Sequence, residues 1–351
     1  MARRAWGFGD VGPSVAGMGH RYVSAAYREL GGMLRRVREQ AGLTATDLAR
    51  ILGWPLTTIS RMENGRRTSS TTDVILYLVM CGMNAPQVKP FVEFTRLAER
   101  KQGYYLSDEG IGGSLQSLIF HESSATHSII YEPLAIHGLL QTSEYARAHI
   151  TAVDSNSAED WVAGVVRTRM KRRQVLHLPN PGRFLFFIHE QVLRLRVGTD
   201  KVMHEQLLHL VLTAALDNVT IRIVPSAVGA LGGAFRLMEF HESRPIVYLD
   251  DLRVGGLILE DPGYVNCYYK FVPTLAAVAL DEGESREFAA NLADEYDRGS
   301  QRGVTDVLAQ EQLQPRIGNR LRGGGMAQEQ SQQRDGNGLR GGDVEPTSIY
   351  E

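Results

Sequence analysis

The chain has 351 residues, of which 43% are hydrophobic, with 38 Lys and Arg against 40 Asp and Glu. This length favours two domains, and the hydrophobic fraction is ample for a packed core. The two cysteines, Cys81 and Cys267, form neither a disulfide framework nor a zinc pattern, so we expect a reduced, cytoplasmic protein. No stretch is long and apolar enough to span a membrane, and residues 1–28 lack the apolar segment of a signal peptide.

The charge is divided unevenly along the chain. Residues 30–105 hold eleven Lys and Arg and six Asp and Glu, a net charge of +5, whereas residues 106–299 hold 17 and 25, a net charge of −8. A basic module joined to an acidic one fits a DNA-binding head followed by a body that avoids DNA. Small domains also carry a few charges of either sign by chance, so charge favours this interpretation without deciding it.

The chain begins with a segment that lacks periodicity and continues into a helix. Residues 1–21 are rich in Gly and small residues, so we expect a disordered extension there. Residues 22–41 have the spacing of an amphipathic helix, which Gly42 ends. Its expected apolar side carries Leu30, Leu34 and Val37, and its polar side carries Arg35, Arg36 and Arg38.

Residues 43–67, LTATDLARILGWPLTTISRMENGRR, predict two short helices joined by a tight turn. Thr44 is placed to cap the first helix, and Asp47 completes a capping-box-like pair with it. Gly53 ends this helix, because glycine adopts the conformation that a helix end needs. The expected apolar face comprises Leu48, Ile51 and Leu52.

The second of these helices has equally clear limits. Pro55 suits the first helical position, where a missing N–H has no cost. Ile59 and Met62 are expected to point inward. Asn64-Gly65 is a strong stop signal, since both residue types tolerate the left-handed conformation.

The opposite face of the second helix is short, polar and mildly basic. On a 3.6-residue period it comprises Thr57, Ser60, Arg61 and Asn64. Hydroxyl groups and an arginine in this arrangement suit a helix in a DNA major groove, because they can address base edges. Arg66 and Arg67 follow directly and are placed to meet phosphates. The alternative is an ordinary helical hairpin with a solvated face.

The sequence motif GLT..DLA..LG....ISR.ENG closely resembles the helix-turn-helix of the Xre family of phage-repressor-like regulators. The resemblance implies that the family's base- and phosphate-facing positions fall on Leu56, Thr57, Thr58, Ser60 and Arg61. Two residues depart from the usual pattern. Ala45 stands where the family usually has a phosphate-binding Gln, and Leu56 is less polar than usual, so it offers only apolar contact, for instance to a thymine methyl group.

Two further helices complete the predicted head. Residues 69–72 cap the first, in which we expect Val74, Leu76, Leu78, Val79 and Met80 to be largely buried. Pro86 opens the second, which runs through Phe91, Phe94 and Leu97 into a charged connector. Residues 107–113, SDEGIGG, are the best domain boundary. We therefore place the head at residues 22–106 and a second domain, the body, at residues 114–298.

The body mixes helix and strand patterns. Strands are predicted at 127–132, 184–190 and 219–225, and in the runs AFRLMEF, PIVYLDD and GLILED. Helices are predicted at 115–123, 142–150, 157–177, 203–216, 262–280 and 284–297. Residues 299–351 are rich in Gln, Arg and Gly, which predicts a disordered tail. The fold class is thus an all-α helix-turn-helix bundle followed by an α+β domain, with disordered tails.

The body also contains sequence motifs that resemble those of a known domain family. The runs HGLLQTSEYARA, RTRMKRRQVL, HEQVLRLRVG, MHEQLLHL, VTIRIVP and GAFRLMEF resemble a domain of unknown function that follows Xre-type heads. Such chains are actinobacterial regulators, including WhiJ-like and antitoxin-like ones. His137 replaces the family's usual Pro. The resemblance implies a transcriptional regulator with a small partner protein encoded nearby, and it implies no catalytic residue.

Catalytic and metal-binding patterns are weak. His-Glu occurs at 121–122, 189–190, 204–205 and 241–242. The closest approach to a metalloprotease motif places His204 and His209 five residues apart, about 140° around a helix, so they do not share a face. The loop at 229–235 lacks the Lys-Ser/Thr of a P-loop. The basic run 167–173 is open to three interpretations: contact with DNA, ion pairs within its own domain, or a solvated face. We expect no metal and no cofactor.

Two functions remain open. The first is a sequence-specific regulator of double-stranded DNA whose body binds a partner protein or ligand. The second is an enzyme in residues 114–297 that the head brings to DNA. The lack of a recognisable catalytic set favours the first, so we expect no enzyme activity. Because one recognition helix buries too little surface for tight specific binding, we expect a homodimer.

Overall fold

The computed structural model describes residues 24–100, 102–109, 113–153, 158–250 and 255–317, with side chains as far as residue 299. The extension predicted at 1–21 and residues 318–351 of the predicted tail lie outside the described residues. In the described part of the chain, no helix has both the length and the apolar character needed to cross a membrane.

The head is the predicted helical bundle. Its helices are α1 (Ala25–Gln40), α2 (Ala45–Leu52), α3 (Leu56–Glu63), α4 (Thr71–Met80) and α5 (Ala85–Glu99). The capping box of Thr44 and Asp47 is confirmed, and Gly53 ends α2 in the left-handed conformation, with φ of 66°. Pro55 is the N-cap of α3, one residue before the predicted position, and Asn64 and Gly65 follow the end of the helix.

Two predictions about the apolar faces of the head are wrong. Ile51 is 51% exposed although its neighbour Leu48 is fully buried. In α4 the buried residues are Val74, Tyr77 and Leu78, which share one helical face. The opposite face of the same helix therefore meets solvent, and it carries Ile75, Leu76, Val79 and Met80.

The body is built on a mixed sheet. Within the described residues the sheet has the strand order β1-β7-β6-β5-β2-β3-β4. Its strands are β1 (Tyr104–Leu106), β2 (His127–Glu132), β3 (Arg183–His189), β4 (Val219–Val224), β5 (Phe235–Glu239), β6 (Ile246–Leu249) and β7 (Leu257–Leu259). The strands β2, β3 and β4 are parallel, and the remaining pairs are antiparallel.

Helices connect the parallel strands and cover the sheet. They are α6 (Gly113–Ser124), α7 (Ser143–Val153), α8 (Glu159–Arg172), α9 (Glu190–Arg194), α10 (Asp200–Thr213), α11 (Pro262–Val278) and α12 (Glu282–Ile317). Because parallel strands need a crossover, α7 and α8 lie between β2 and β3, and α10 lies between β3 and β4. Residues of α10 and α12 pack on one face of the sheet and residues of α11 on the other. The helix α12 continues to Ile317, whereas the sequence predicted its end at residue 297.

The head and the body share a hydrophobic core. Leu30 and Leu34 of α1 belong to the same buried cluster as Leu118 of α6 and Tyr248 and Ile258 of the sheet. Residues 104–106, which the sequence placed at the end of the head, form β1 at the edge of this sheet. The described residues up to Ser300 accordingly form one compact unit.

Candidate nucleic-acid interface

The helix α3 presents the predicted polar face to solvent. Thr57, Ser60, Arg61 and Asn64 are exposed, Leu56 is 48% exposed, and Thr58 is half-buried. On the other side, Ile59 and Met62 are almost completely buried. The prediction of which side of α3 faces solvent is therefore confirmed. The exposed face of α3 offers hydroxyl, amide and guanidinium groups of the kinds that bond to base edges and phosphates.

Three of the predicted residues already have intramolecular partners. The Asn64 side-chain amide donates to the Ser60 carbonyl at 2.8 Å, which caps the end of α3. Arg67 Nη2 lies 3.1 Å from Asp73 Oδ2 and its Nε donates to the Thr68 carbonyl. Arg66 forms an ion pair with Glu242 of the body. The two arginines therefore each have an acidic partner within the chain.

A buried ion pair holds α3 in place. Arg38 donates to Glu63 through Nε at 2.7 Å and through Nη2 at 2.8 Å, and the Tyr77 hydroxyl donates to the same carboxylate at 2.6 Å. Arg38 also donates to the Leu43 carbonyl at 2.7 Å. The hydrogen bonds that Arg38 donates to Glu63 raise the pKa of the Arg38 guanidinium, against the effect of burial. Bidentate pairing of this kind fixes geometry as well as charge, so α3 is oriented by α1 and α4.

This pair was not predicted from the sequence, because Arg38 was expected on the solvent side of α1. Arg38 is 7% exposed and Glu63 is 8% exposed. The signal that was available is the position of Glu63, which lies four residues after the inward-pointing Ile59 and so shares its face. An acid in that register needs a buried cation as its partner.

Gly65 explains how the chain leaves α3. Its φ is +60°, and a Cβ atom at this position would lie 2.5 Å from the Arg28 Cα. Only glycine fits such a close approach to α1. The approach sets the starting point of the segment that carries Arg66 and Arg67 beside the exposed face of α3.

A polar network joins the head to the body. The Arg28 guanidinium stacks on the Phe240 ring at 3.5 Å and donates to His121 Nδ1 at 2.9 Å. His121 Nε2 lies 2.8 Å from the Tyr105 hydroxyl, which donates to Glu29 at 2.8 Å. Burial lowers the pKa of His121, so the imidazole is neutral, with its proton on Nε2. The chain of hydrogen bonds fixes α1 against α6 and β1.

Most basic side chains of the run 167–173 contact residues of their own domain, the body. Arg172 Nε lies 2.8 Å from Glu122, Arg169 donates to the Gln141 side chain at 2.7 Å, and Arg173 donates to the Gln141 carbonyl at 3.2 Å. Arg167 and Lys171 are exposed. Of the three interpretations of this run, the geometry favours pairing within the body.

The His-Glu pairs are dispersed over separate parts of the body. His189 caps α9, His204 Nδ1 lies 2.9 Å from the Ala293 carbonyl, and His209 contacts Arg173. Among the described residues, no group of three His, Cys, Asp or Glu side chains is arranged to hold a metal ion.

Comparison with known families adds two matches. A family model described as a domain of unknown function (DUF5753) matches residues 115–291, which is just over half of the chain. The chain belongs to the DUF5753 family. A second model, described as a helix-turn-helix domain, matches residues 29–91 and includes α2, α3 and the segment with Arg66 and Arg67. No curated protein matches the chain. The DUF5753 region and the helix-turn-helix region together support a DNA-binding regulator.

Proposed function

We propose that this DUF5753 protein is an Xre-type, antitoxin-like transcriptional regulator of the actinobacterial WhiJ kind that works in the cytoplasm. The observation that carries the proposal is the exposed polar face of α3, held by a buried ion pair and followed by two arginines. In this proposal α3 enters the major groove, where Thr57, Ser60 and Arg61 meet bases. Arg66 and Arg67 meet phosphates and hold the helix in register.

The protein acts as a homodimer on a pseudo-palindromic operator. One α3 helix buries too little surface for tight specific binding, so two copies have to act together. The apolar face of α4 supports this proposal, because Ile75, Leu76, Val79 and Met80 are 36–48% exposed in a continuous stripe. The half-sites then lie about 34 Å apart, one turn of DNA, or a multiple of that distance.

The body binds a small partner protein encoded nearby, or a ligand, and catalyses no reaction. Its net charge of −8 over residues 106–299 keeps it away from DNA. Its fixed contacts with the head provide a route by which a bound partner alters DNA affinity. The change in affinity is limited by the difference between the partner's affinities for the free and the DNA-bound protein.

The proposal is tested by measuring the affinity of the full chain for duplex DNA as a function of salt. We expect the logarithm of the affinity to fall steeply with the logarithm of the salt concentration. Replacement of Arg66 and Arg67 with Ala should flatten this slope by about one to two units, because each lost phosphate contact removes about 0.9 unit. The matched control is Arg167→Ala together with Lys171→Ala, two exposed cations of the body. Unchanged slopes in the head variant contradict the phosphate role.

A further inference from the structure

A buried polar cluster lies between two hydrophobic cores of the body. Arg236 of β5 is paired with Ile130 of β2 and with Tyr248 of β6, so these side chains share one face of the sheet. Tyr248 belongs to the core shared with the head, and Ile130 belongs to the core under α10 and α12. The polar cluster occupies the space between these two cores. We call it the arginine cluster, and it comprises Arg169, Arg172, Arg236, Glu122, Glu132, Asp250 and His137.

Ion pairs connect the members of the arginine cluster. Arg172 Nε lies 2.8 Å from one Glu122 oxygen, and Arg236 Nη1 lies 3.5 Å from the other. Arg236 Nη2 donates to Asp250 Oδ2 at 3.0 Å and lies 3.9 Å from Glu132. The side chains of Glu122, Arg172 and Arg236 are between 4% and 9% exposed. Such burial of three charged groups is costly unless their hydrogen bonds are complete.

Those hydrogen bonds are incomplete among the described residues. Neither Glu122 oxygen, nor Arg172 Nε, nor Arg236 Nη1 makes an aligned hydrogen bond, although the ion-pair distances are short. His137 Nδ1 accepts from the Leu139 N–H at 3.2 Å, which places the ring proton on Nε2. Nε2 is buried and has no acceptor in the described part of the chain. The three unsatisfied donors outnumber the two Glu122 oxygens that face Arg172 and Arg236. Buried polar networks with a purely structural role are normally satisfied, so the remaining donor, His137 Nε2, indicates a missing acceptor.

The balance of charge agrees with the surplus of donors. Burial raises the pKa of Glu132 to about 7, so this carboxyl group is protonated for much of the time near neutral pH. The remaining carboxylates, Glu122 and Asp250, then face Arg169, Arg172 and Arg236. Asp250 is 43% exposed and Arg169 is half-buried, so the cluster reaches the surface at these two side chains. A small anion that accepts several hydrogen bonds would fit both the charge and the donors.

We propose that the arginine cluster binds the oxyanion group of a small effector molecule. The inference rests on the proposed ligand-binding role of the body and names the chemistry of that ligand. The oxyanion accepts hydrogen bonds from Arg169 and Arg172 and from His137 Nε2, and Arg236 supplies further positive charge. Arg169, at the surface, is the first cation that an entering anion meets.

The position of α6 gives this site a route to the head. His121 and Glu122 are consecutive in α6, and His121 contacts Arg28 and Tyr105 whereas Glu122 pairs with Arg172. An anion that binds the Arg172 guanidinium competes with Glu122 and loosens this ion pair. A shift of α6 then changes the contacts of α1, the helix that supports α3 through Arg38. Site occupancy and DNA affinity are therefore linked.

The test is the thermal unfolding of the full chain in the presence of inorganic phosphate or acetate, with the ionic strength held constant by chloride. We expect a saturable rise in the Tm of the wild-type protein with at least one of these anions. Arg169→Gln should weaken the apparent affinity about ten-fold or more, as expected for the loss of one charge-assisted hydrogen bond. If that variant is poorly folded, the double variant Glu122→Gln with Arg172→Gln serves instead. It removes an ion pair whose net charge is zero and should show the same loss of apparent anion affinity.

Two controls separate this site from other cations. Arg167→Gln changes an exposed cation of the same helix, and Arg66→Ala with Arg67→Ala removes cations of the head. Both should keep the full rise in Tm. No saturable rise in the wild-type protein, or an equal rise in Arg169→Gln, would overturn the inference.

DNA affinity of the same preparations, measured without added phosphate, distinguishes a failure of the oxyanion site from a failure of the proposed DNA binding. If the wild-type protein binds DNA tightly but shows no anion-dependent rise in Tm, the oxyanion site is wrong and the DNA-binding proposal stands. If the protein binds no DNA, the proposed function fails whatever the anion does.

Discussion

At the scale of single residues, the cations of the head have different environments and therefore different expected roles. Arg61 is exposed on α3, Arg66 pairs with a residue of the body, and Arg67 pairs with Asp73 in the first turn of α4. Arg38 is buried and holds Glu63. A cation that projects from the recognition face can read a base, whereas one at the end of the helix meets the backbone.

We expect Arg61→Ala to relax the preference at one base pair of the operator. If Arg61 bonds a guanine bidentately, the loss at that base pair is about 1–3 kcal/mol. The measurement is the affinity for the operator and for duplexes substituted at each position. Arg50→Ala, an exposed arginine of α2, is the matched control and should leave the preferences unchanged. An equal loss of affinity on every sequence would assign Arg61 to the phosphate backbone instead.

His137 predicts a pH dependence of stability. Burial, with the charges of Arg236, Arg172 and Arg169, holds its pKa well below the usual range. In the unfolded chain the pKa returns to about 6.5, so below this pH the unfolded state takes up a proton that the folded state does not. The stabilisation is therefore complete above pH of about 6.5 and is lost as the pH falls.

We expect the free energy of unfolding of the wild-type protein to fall between pH 7 and pH 5.5 by more than that of His137→Gln. The additional slope below pH 6.5 is at most about 1.4 kcal/mol per pH unit, the value for one proton. Urea unfolding at both pH values measures it, and His177→Gln, at an exposed histidine, is the control. Glu132 titrates in the opposite sense but is present in all three proteins. Parallel pH profiles of wild type and His137→Gln would contradict the prediction.

At the scale of elements, local signals predicted the caps and limits of α2 and α3. Thr44, Asp47 and Gly53 act within a few residues of themselves, so their effect is legible without the rest of the fold. In α4 nearly every position is apolar, so hydrophobicity alone could not tell which face meets the bundle. Tyr77, which the prediction passed over, is fully buried whereas Val79 is 48% exposed.

Contacts between elements that are far apart in the chain could not be predicted from the sequence pattern. Arg38 and Glu63 are 25 residues apart, and Glu29 and Tyr105 are 76 residues apart. Both arginine and glutamate occur far more often on solvated faces, so residue type alone gave no hint of burial. For the first pair, only the register of Glu63 with Ile59 offered a signal. For the same reason, pairing within its own domain was only one of three interpretations of the basic run 167–173. The part of Arg236, Glu122 and His137 in the arginine cluster was not predicted.

The exposed face of α4 predicts the location of the dimer interface. Leu76→Glu with Val79→Glu should convert a dimer to a monomer, because each charge would have to be buried in the interface. Operator affinity should fall, while the isolated fold is retained since both side chains are more than 40% exposed. Sedimentation equilibrium measures the mass. The control, Leu208→Glu with Leu212→Glu, alters two exposed leucines of α10 and should leave the dimer intact. A dimer that survives the α4 substitutions places the interface elsewhere.

At the scale of the whole molecule, the body supports the head directly. The shared core and the network of Glu29, Tyr105 and His121 fix α1, and Glu242 pairs with Arg66 next to α3. A body docked in this way can bias DNA binding without any long-range rearrangement. In the proposed mode of DNA binding, Glu242 and a DNA phosphate compete for Arg66.

We expect Glu242→Gln to raise DNA affinity about two- to five-fold, the range that an exposed ion pair of up to about 1 kcal/mol allows. The increase should disappear when Arg66 is also replaced with Ala. Fluorescence anisotropy with one duplex at low salt measures both effects. Glu205→Gln, which removes a body carboxylate whose side chain is 43% exposed and pairs with Lys201, is the control. The same increase in the presence and absence of Arg66 would show that Glu242 acts through its charge alone.

The central claim is that α3 reads DNA as part of a dimer. Selection of bound duplexes from a random pool, followed by sequencing, tests it most directly. We expect the wild-type protein to enrich a pseudo-palindrome with half-sites about 34 Å apart or a multiple of this distance. Replacement of Thr57, Ser60 and Arg61 with Ala should abolish the base preferences. Enrichment of no sequence, or of the same sequence by the wild type and the triple variant, would contradict it.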